Sequence, residues 1–196
     1  MYVGEVPDTS IETNVIIGDA IHQFRAILDH LIYGVCEIQA PTGTDLSQVY
    51  FPISKSHADY LADKRVKTLQ GLVKQSVLTE IEACQPFRRH PNAPAGSPLF
   101  ILHKLDILDK HCSVLKLSHT LDLSPGLTFK QTVLPGRLMF EVAFPDSIDP
   151  DQLSLQEFAP RVVFDESVGG SETLVEVMDG VKEEVVEVVN RLSQFF

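Results

Sequence analysis

Cysteine is scarce in this chain of 196 residues, and its three cysteines form no CxxC pair. The odd count and the lack of paired spacing exclude a disulfide framework and a zinc finger, so we expect reduced, buried thiols. The first ten residues also lack the basic start and the apolar stretch of a secretory signal. We therefore expect the protein to reside in the cytoplasm.

Long apolar runs and an excess of positive charge are missing as well. Every apolar stretch is interrupted well before the roughly 20 residues that a membrane span needs, so no membrane span is predicted. The chain has 16 Lys and Arg against 27 Asp and Glu, a formal net charge of −11. Because this charge repels polyanions at long range, we expect neither DNA nor an anionic membrane as a partner.

Several familiar catalytic motifs do not occur in the sequence. It has no GxSxG, which presents a nucleophilic serine, and no glycine pattern of the phosphate-loop or dinucleotide-binding kind. It also has neither HExxH nor ExxH, the usual helical metal-binding spacings. We therefore predict no cofactor and no common nucleotide enzyme.

Apolar residues recur at the three-and-four spacing of amphipathic helices in three long segments, residues 16–38, 98–117 and 173–196. Shorter helices are predicted from Ser54 or Ser56 to about Val66 and from Val73 to Cys84.

Two features of the intervening chain are not helical in pattern. Residues 86–98 carry four prolines and a glycine, so they are predicted to form a surface loop that exposes Arg88, Arg89 and His90 to solvent. Val49-Tyr50-Phe51 is predicted to be a short extended piece.

From residue 120 the pattern changes to alternation between turn signals. Pro125-Gly126 and Pro135-Gly136 lie ten residues apart, a spacing typical of an antiparallel meander. Strands are predicted at residues 121–123, 127–134, 137–144 and 161–165. The sequence thus predicts one α+β domain spanning residues 1–196. Its helical N-terminal two-thirds (16–117) would pack with a three- or four-stranded antiparallel sheet (120–165) and a C-terminal helix.

Two predicted helices carry charged side chains beside their apolar faces. At about 100° per residue, His22, Arg25 and Asp29 fall within roughly 60° of one another. Asp106 and Asp109 fall together on the helix of residues 98–116. Because an unpaired charge at a helix boundary is costly, we expect the two groups to meet across a helix pair.

Three phrases of the chain resemble a widespread set of bacterial and phage-borne proteins that has no assigned activity. They are Gly18 to His30 (GDxxHxxRxxLDH), Ile81 to Phe87, and Leu102 to His111 (LxxLDxxDKH). The last phrase adds Lys110 and His111 to the predicted polar network. In that set the lysine-histidine pair is commonly followed by arginine, whereas this chain has Cys112, so any role of that arginine does not carry over.

The segment from Arg25 to His30 also resembles the R-x4-H motif of HEPN-type ribonucleases, which are helical, usually dimeric and independent of metal. The resemblance implies an RNA-cleaving enzyme of toxin or defence type, with RNA as a partner and a homodimer as its state. His30 would deprotonate the ribose 2′-hydroxyl and Arg25 would stabilise the phosphorane. On an ideal helix the two lie about 140° apart, so this chemistry requires a dimer or an irregular helix.

Two other classes of function stay open. In the first, the protein is a non-enzymatic interaction or structural protein, and the network of His, Arg and Asp only fixes which helices pair. In the second, the protein is a metal-dependent helical enzyme, and an ion would be held by donors from His22, Asp29, His103, Asp106 and Asp109. We predict no metal site, because Arg25 lies among these donors and repels a cation.

Overall fold

The structure, a computed structural model, describes residues 2–6, 11–111, 117–120, 128–134, 137–143, 161–164 and 173–196. Within these ranges, side chains are described for residues 13–108 and 173–196. The helices are α1 (Ile11–Gln39), α2 (His57–Ala62), α3 (Lys64–Gln70), α4 (Gln75–Ala83), α5 (Pro86–Arg89), α6 (Pro98–His111) and α7 (Leu174–Leu192). Short 3₁₀ turns span Pro94–Gly96 and Ser193–Phe195.

Helices α1, α6 and α7 pack against one another, and α4 packs on α7. Their apolar stripes supply most of the core, including Ile21, Leu28, Leu102 and Val188, each fully buried. Apart from Cys84, which directly follows α4, the other described core side chains come from the short helices and from residues 49–54. Among its described helices, none combines the length and the apolar character that crossing a membrane takes.

Asp63 divides the single helix that the sequence predicts up to about Val66 into α2 and α3. Its backbone lies in the extended region, with φ of −63° and ψ of 128°, which ends α2. Its carboxylate accepts a hydrogen bond from the Arg65 N–H at 2.8 Å and so caps α3. Ser56 caps α2 in the same way, accepting from the Asp59 N–H at 3.1 Å.

Five strands are described through their backbone, and they form two small sheets rather than one meander. In the first, β4 (Arg137–Ala143) lies between β1 (Tyr2–Val6) and β3 (Thr128–Leu134), antiparallel to both. In the second, β2 (Leu117–Thr120) pairs antiparallel with β5 (Arg161–Phe164). The bounds of β3, β4 and β5 lie close to the predicted strands, whereas β1 and β2 were not predicted. The strand expected at residues 121–123 lies outside the described residues.

The predicted α+β fold class is wrong. Where side chains are described, 74% of the residues are helical and no strand occurs, so no sheet is part of this body. The physical reason is that three long helices already cover one another's apolar stripes, and the extended residues 49–54 fill the remaining side of the core. The alternating pattern after residue 120 does predict strands, but it does not show that their sheet packs against the helical core.

Candidate functional site

Arg25 and Asp29 form a tight ion pair on the inner side of α1. They lie one helical turn apart, which brings their side chains together. The Arg25 Nη2 donates to Asp29 Oδ1 at 2.6 Å, and its Nε donates to Oδ2 at 3.2 Å. Arg25 is only 4% exposed. Burial lowers the pKa of its guanidinium, and the adjacent Asp29 charge opposes that shift.

This pair holds both backbone hydrogen-bonding groups of Phe51. Arg25 Nη2 donates to the Phe51 carbonyl at 2.6 Å, and the Phe51 N–H donates to Asp29 Oδ1 at 2.8 Å. Phe51 is itself fully buried, so water cannot satisfy these groups. The ion pair thus gives Phe51 the two hydrogen bonds that a neighbouring strand would give it in a sheet.

Gln85 does the same for the residues that follow. Its Oε1 accepts from the Ser54 N–H at 2.9 Å, and its Nε2 donates to the carbonyls of Pro52 at 2.9 Å and Ile81 at 3.1 Å. The Gln85 side chain is fully buried. We call residues 49–54 the clamped segment, because side chains from both flanking parts of the chain hold its backbone.

A second contact joins α1 to α6. His22 Nδ1 and Asp106 Oδ1 are 3.2 Å apart, and the Asp106 side chain is 8% exposed. One turn before Asp106, burial together with the charges of Arg25 and Arg65 lowers the pKa of His103 to about 4. His103 is therefore neutral at pH 7, and the charges between α1 and α6 come from Arg25, Asp29 and Asp106.

The structure brings some of the predicted site residues together and separates others. His22, Arg25, Asp29 and Asp106 lie where α1 meets α6 and the clamped segment. Asp109, Lys110 and His111 occupy the end of α6, where their side chains fall outside the described residues. Any contact between Arg25 and the Asp109 side chain therefore lies outside the described residues.

Arg25 and His30, the predicted catalytic pair, do not share a cleft within the chain. Arg25 points into the core, whereas His30 is exposed on the outer side of the same continuous α-helix. Five residues correspond to a rotation of about 140° on such a helix. The irregularity that could unite them within one chain is absent from α1, which is α-helical from Ile11 to Gln39.

Sequence reasoning missed a second polar cluster, which joins α7 to the residues that follow Gln85. Glu184 of α7 is 6% exposed and accepts from Arg89 Nε at 2.9 Å. His90 Nε2 lies 2.9 Å from the other Glu184 oxygen. Arg89 and His90 are thus partly exposed, as predicted, but they also bind Glu184. Residues 86–89 form α5, so the prediction of a loop throughout residues 86–98 is wrong. Arg191 extends the cluster, pairing with Glu187 at 2.8 Å and with Glu80 at 3.1 Å.

The sequence does contain signals for the missed residues. Glu184 lies three residues after Val181 and four before Val188, which places its carboxylate on the apolar stripe of α7. Gln85 lies four residues after Ile81 and so extends the buried stripe of α4 by one turn. A polar residue at an apolar stripe position predicts a buried hydrogen-bonded group, although it does not identify the partner.

A shallow groove of about 400 Å³ lies beside the clamped segment, lined by Ile53, Ser54, Lys55, Asp59, Ala62, Asp63, Arg65 and Phe100. Its two cationic and two acidic side chains balance, and Arg65 is already bonded to Asp63 at 2.6 Å. The groove therefore has no charge surplus that would select an ion. Arg25 Nη1, which is buried, has no hydrogen-bond partner among the described residues.

The described side chains offer little for metal or thiol chemistry. Across residues 13–108 and 173–196, no three His, Cys, Asp or Glu side chains lie close enough to share a metal ion. Burial raises the pKa of Cys36 to about 11 and that of Cys84 to about 12, so both stay protonated at pH 7. A protonated, buried thiol is a poor nucleophile.

No protein-family model, no curated protein and no solved structure matches this chain.

Proposed function

We propose that this chain is a non-enzymatic interaction or structural protein, and that its Arg25-Asp29 network is architectural. One observation carries the proposal: the two charged side chains are bonded to each other and to both backbone groups of a buried residue, Phe51. A catalytic group needs a free face toward substrate. Arg25, at 4% exposure, is instead part of the core.

Metal-independent RNA cleavage, the first function predicted from the sequence, stays a prediction with less support. It requires Arg25 and His30 beside one phosphate, yet His30 is exposed and Arg25 is buried on the other side of α1. A His30 from a second chain would still have to reach a guanidinium that the clamped segment covers. The architectural role needs no such rearrangement.

A cleavage assay with two single variants tests the proposal. Labelled single-stranded RNA is incubated in chelator with the wild-type protein, with Arg25→Lys and with His30→Ala. We expect no cleavage above buffer from any of the three. We also expect Arg25→Lys to lower the melting temperature, because lysine cannot bond Asp29 and Phe51 together, while His30→Ala leaves it unchanged.

The opposite pattern would overturn the proposal. It consists of RNA cleavage by the wild-type protein that is lost in both variants, while circular dichroism shows that both remain folded. Cleavage that persists in both variants would point to a contaminating nuclease, and repeating the purification with a second affinity tag would then remove it.

A further inference from the structure

The outward face of α1 carries a line of exposed apolar side chains. Ile16, Ile27 and Ile38 are 68%, 43% and 58% exposed. They recur every eleven residues, which on an α-helix is three turns plus about 20°, so they form one nearly straight line. We call this line the α1 strip; it also includes the residues between the isoleucines on the same face, namely Ala20, Gln23, Leu31 and Gly34.

The α1 strip is symmetric about its middle residue. Ile16 and Ile38 lie at equal distances before and after Ile27, and so do the small residues Ala20 and Gly34. In an antiparallel pair of α1 helices, a twofold axis through Ile27 therefore sets each isoleucine against an isoleucine. It also sets Ala20 of one copy against Gly34 of the other, where the Phe196 ring lies on the glycine. Such self-complementarity is what a symmetric dimer interface requires.

The absence of charge on the α1 strip also favours a second copy of this chain as its binding partner. No strip residue is charged, although the chain as a whole has a formal net charge of −11. A basic partner or a nucleic acid is recognised through charged side chains, which the strip does not supply. An uncharged line is the place where two acidic chains can approach with the least repulsion.

We infer that two copies of this chain associate through antiparallel α1 strips centred on Ile27. From Ile16 to Ile38 the strip is about 33 Å long and about 10 Å wide, which gives roughly 330 Å² on each copy. A standard interface buries about 800 Å² on each partner. Phe196, which lies against Gly34 and is 61% exposed, enlarges the strip. The association is therefore weak and depends on concentration.

The edges of the strip make the dimer sensitive to salt. Asp19 and Glu37, both exposed, lie along the same edge of the strip, about 80° around the helix from Ile27. In the antiparallel pair, Asp19 of one copy lies next to Glu37 of the other. Because like charges repel and salt screens them, the dimer tightens as salt concentration rises. The double variant Asp19→Asn/Glu37→Gln is expected to tighten it at low salt and to reduce this dependence.

Sedimentation velocity on the full chain tests the inference over protein concentrations from about 1 to 300 μM, spanning the range of weak association. Ile27→Glu places two carboxylates on the twofold axis, so we expect its dissociation constant to rise at least about tenfold. Leu61→Glu is the matched control: Leu61 is 53% exposed on α2, away from the strip, and its variant should associate like the wild type. Unchanged melting temperatures would show that both variants fold.

Cysteine crosslinking tests the antiparallel direction. Under mild oxidation, Ile27→Cys should crosslink to itself and Leu61→Cys should not, each compared with the wild-type background. A mixture of Ile16→Cys and Ile38→Cys chains should crosslink, and Ile16→Cys alone should not.

Two results would overturn the inference. One is a chain that stays monomeric at 300 μM, and the other is association that Leu61→Glu disrupts and Ile27→Glu does not. The inference rests on the proposed function and names its binding partner. Its failure would leave the architectural role of Arg25 intact, because that role is tested separately by the RNA cleavage assay and by the melting temperatures of the variants.

Discussion

The two polar clusters of the helical body differ in what their charges hold. Around the clamped segment, Arg25, Asp29 and Gln85 bond to backbone groups of residues that belong to no helix or sheet. In the second cluster, Glu184 bonds to the side chains of Arg89 and His90. The first cluster replaces missing secondary structure, whereas the second joins elements that are already formed. Loss of the first should therefore cost more.

Arg25→Ala is expected to have the largest effect on stability. It leaves the Asp29 charge and the Phe51 carbonyl buried without their partner, and breaking one side of a buried ion pair typically costs about 3–5 kcal/mol. Urea denaturation followed by circular dichroism measures the change. A loss below about 1 kcal/mol, the range of exposed ion pairs, would remove the distinction between the two clusters.

Gln85→Ala should come next, with a loss of stability that overlaps the range for Arg25→Ala. It removes three hydrogen bonds and leaves the buried Ser54 N–H and Pro52 carbonyl unpaired, at a cost of about 1–3 kcal/mol for each unsatisfied group. Gln85→Glu keeps the acceptor for Ser54 but loses the donor, so it should also destabilise the protein. If Gln85→Ala unfolds at the wild-type urea concentration, the clamp does not depend on this residue.

Glu184→Gln should cost less, about 1–2 kcal/mol, because its partners Arg89 and His90 are partly exposed and water can solvate them. Because salt screens partly exposed charges, this cost should shrink in 1 M NaCl, while that of Arg25→Ala should not. Equal salt dependence in the two variants would contradict the comparison.

His103 should make stability depend on pH. Its pKa is lowered from an ordinary 6.5 to about 4, so between these values the unfolded chain binds a proton that the folded chain does not. Stability therefore falls as the pH is lowered through this window and is regained above pH 6.5. The variant His103→Gln should show a shallower fall between pH 6.5 and 4. An unchanged slope would show that His103 is not held neutral by its surroundings.

Arg88→Ala should have the smallest effect. Arg88 bonds to Glu82 at the surface, with its side chain 53% exposed, so the expected change is about 0–1 kcal/mol. This variant is a control for Arg25→Ala, since both remove an arginine that is paired with a carboxylate. A destabilisation as large as that of Arg25→Ala would mean that burial does not set the cost.

Hydrophobic spacing predicts most of the helical fold because each long helix has a clear apolar stripe. Residues 16–38 of the prediction lie within α1, and the helix from residue 98 begins at Pro98 as observed. The break at Asp63 was missed, since the aspartate caps α3 through a local hydrogen bond that leaves the apolar period undisturbed.

The polar network is only partly predictable. Helical geometry places Arg25 and Asp29 at the edge of the core, but it cannot reveal that their partner is the backbone of Phe51, 26 and 22 residues later. The fold class fails for a different reason. An alternating pattern predicts strands, but it does not tell whether the sheet that they form packs on the helices.

The clamped segment also bears on the order in which the chain folds. Its backbone is held from one side by α1 and from the other by Gln85, which follows α4, so neither side alone satisfies it. Before both helices have formed, the backbone amides and carbonyls of this segment form hydrogen bonds with water instead. We therefore expect residues 49–54 to reach their final conformation late in folding, after α1 and the turn that carries Gln85 have formed.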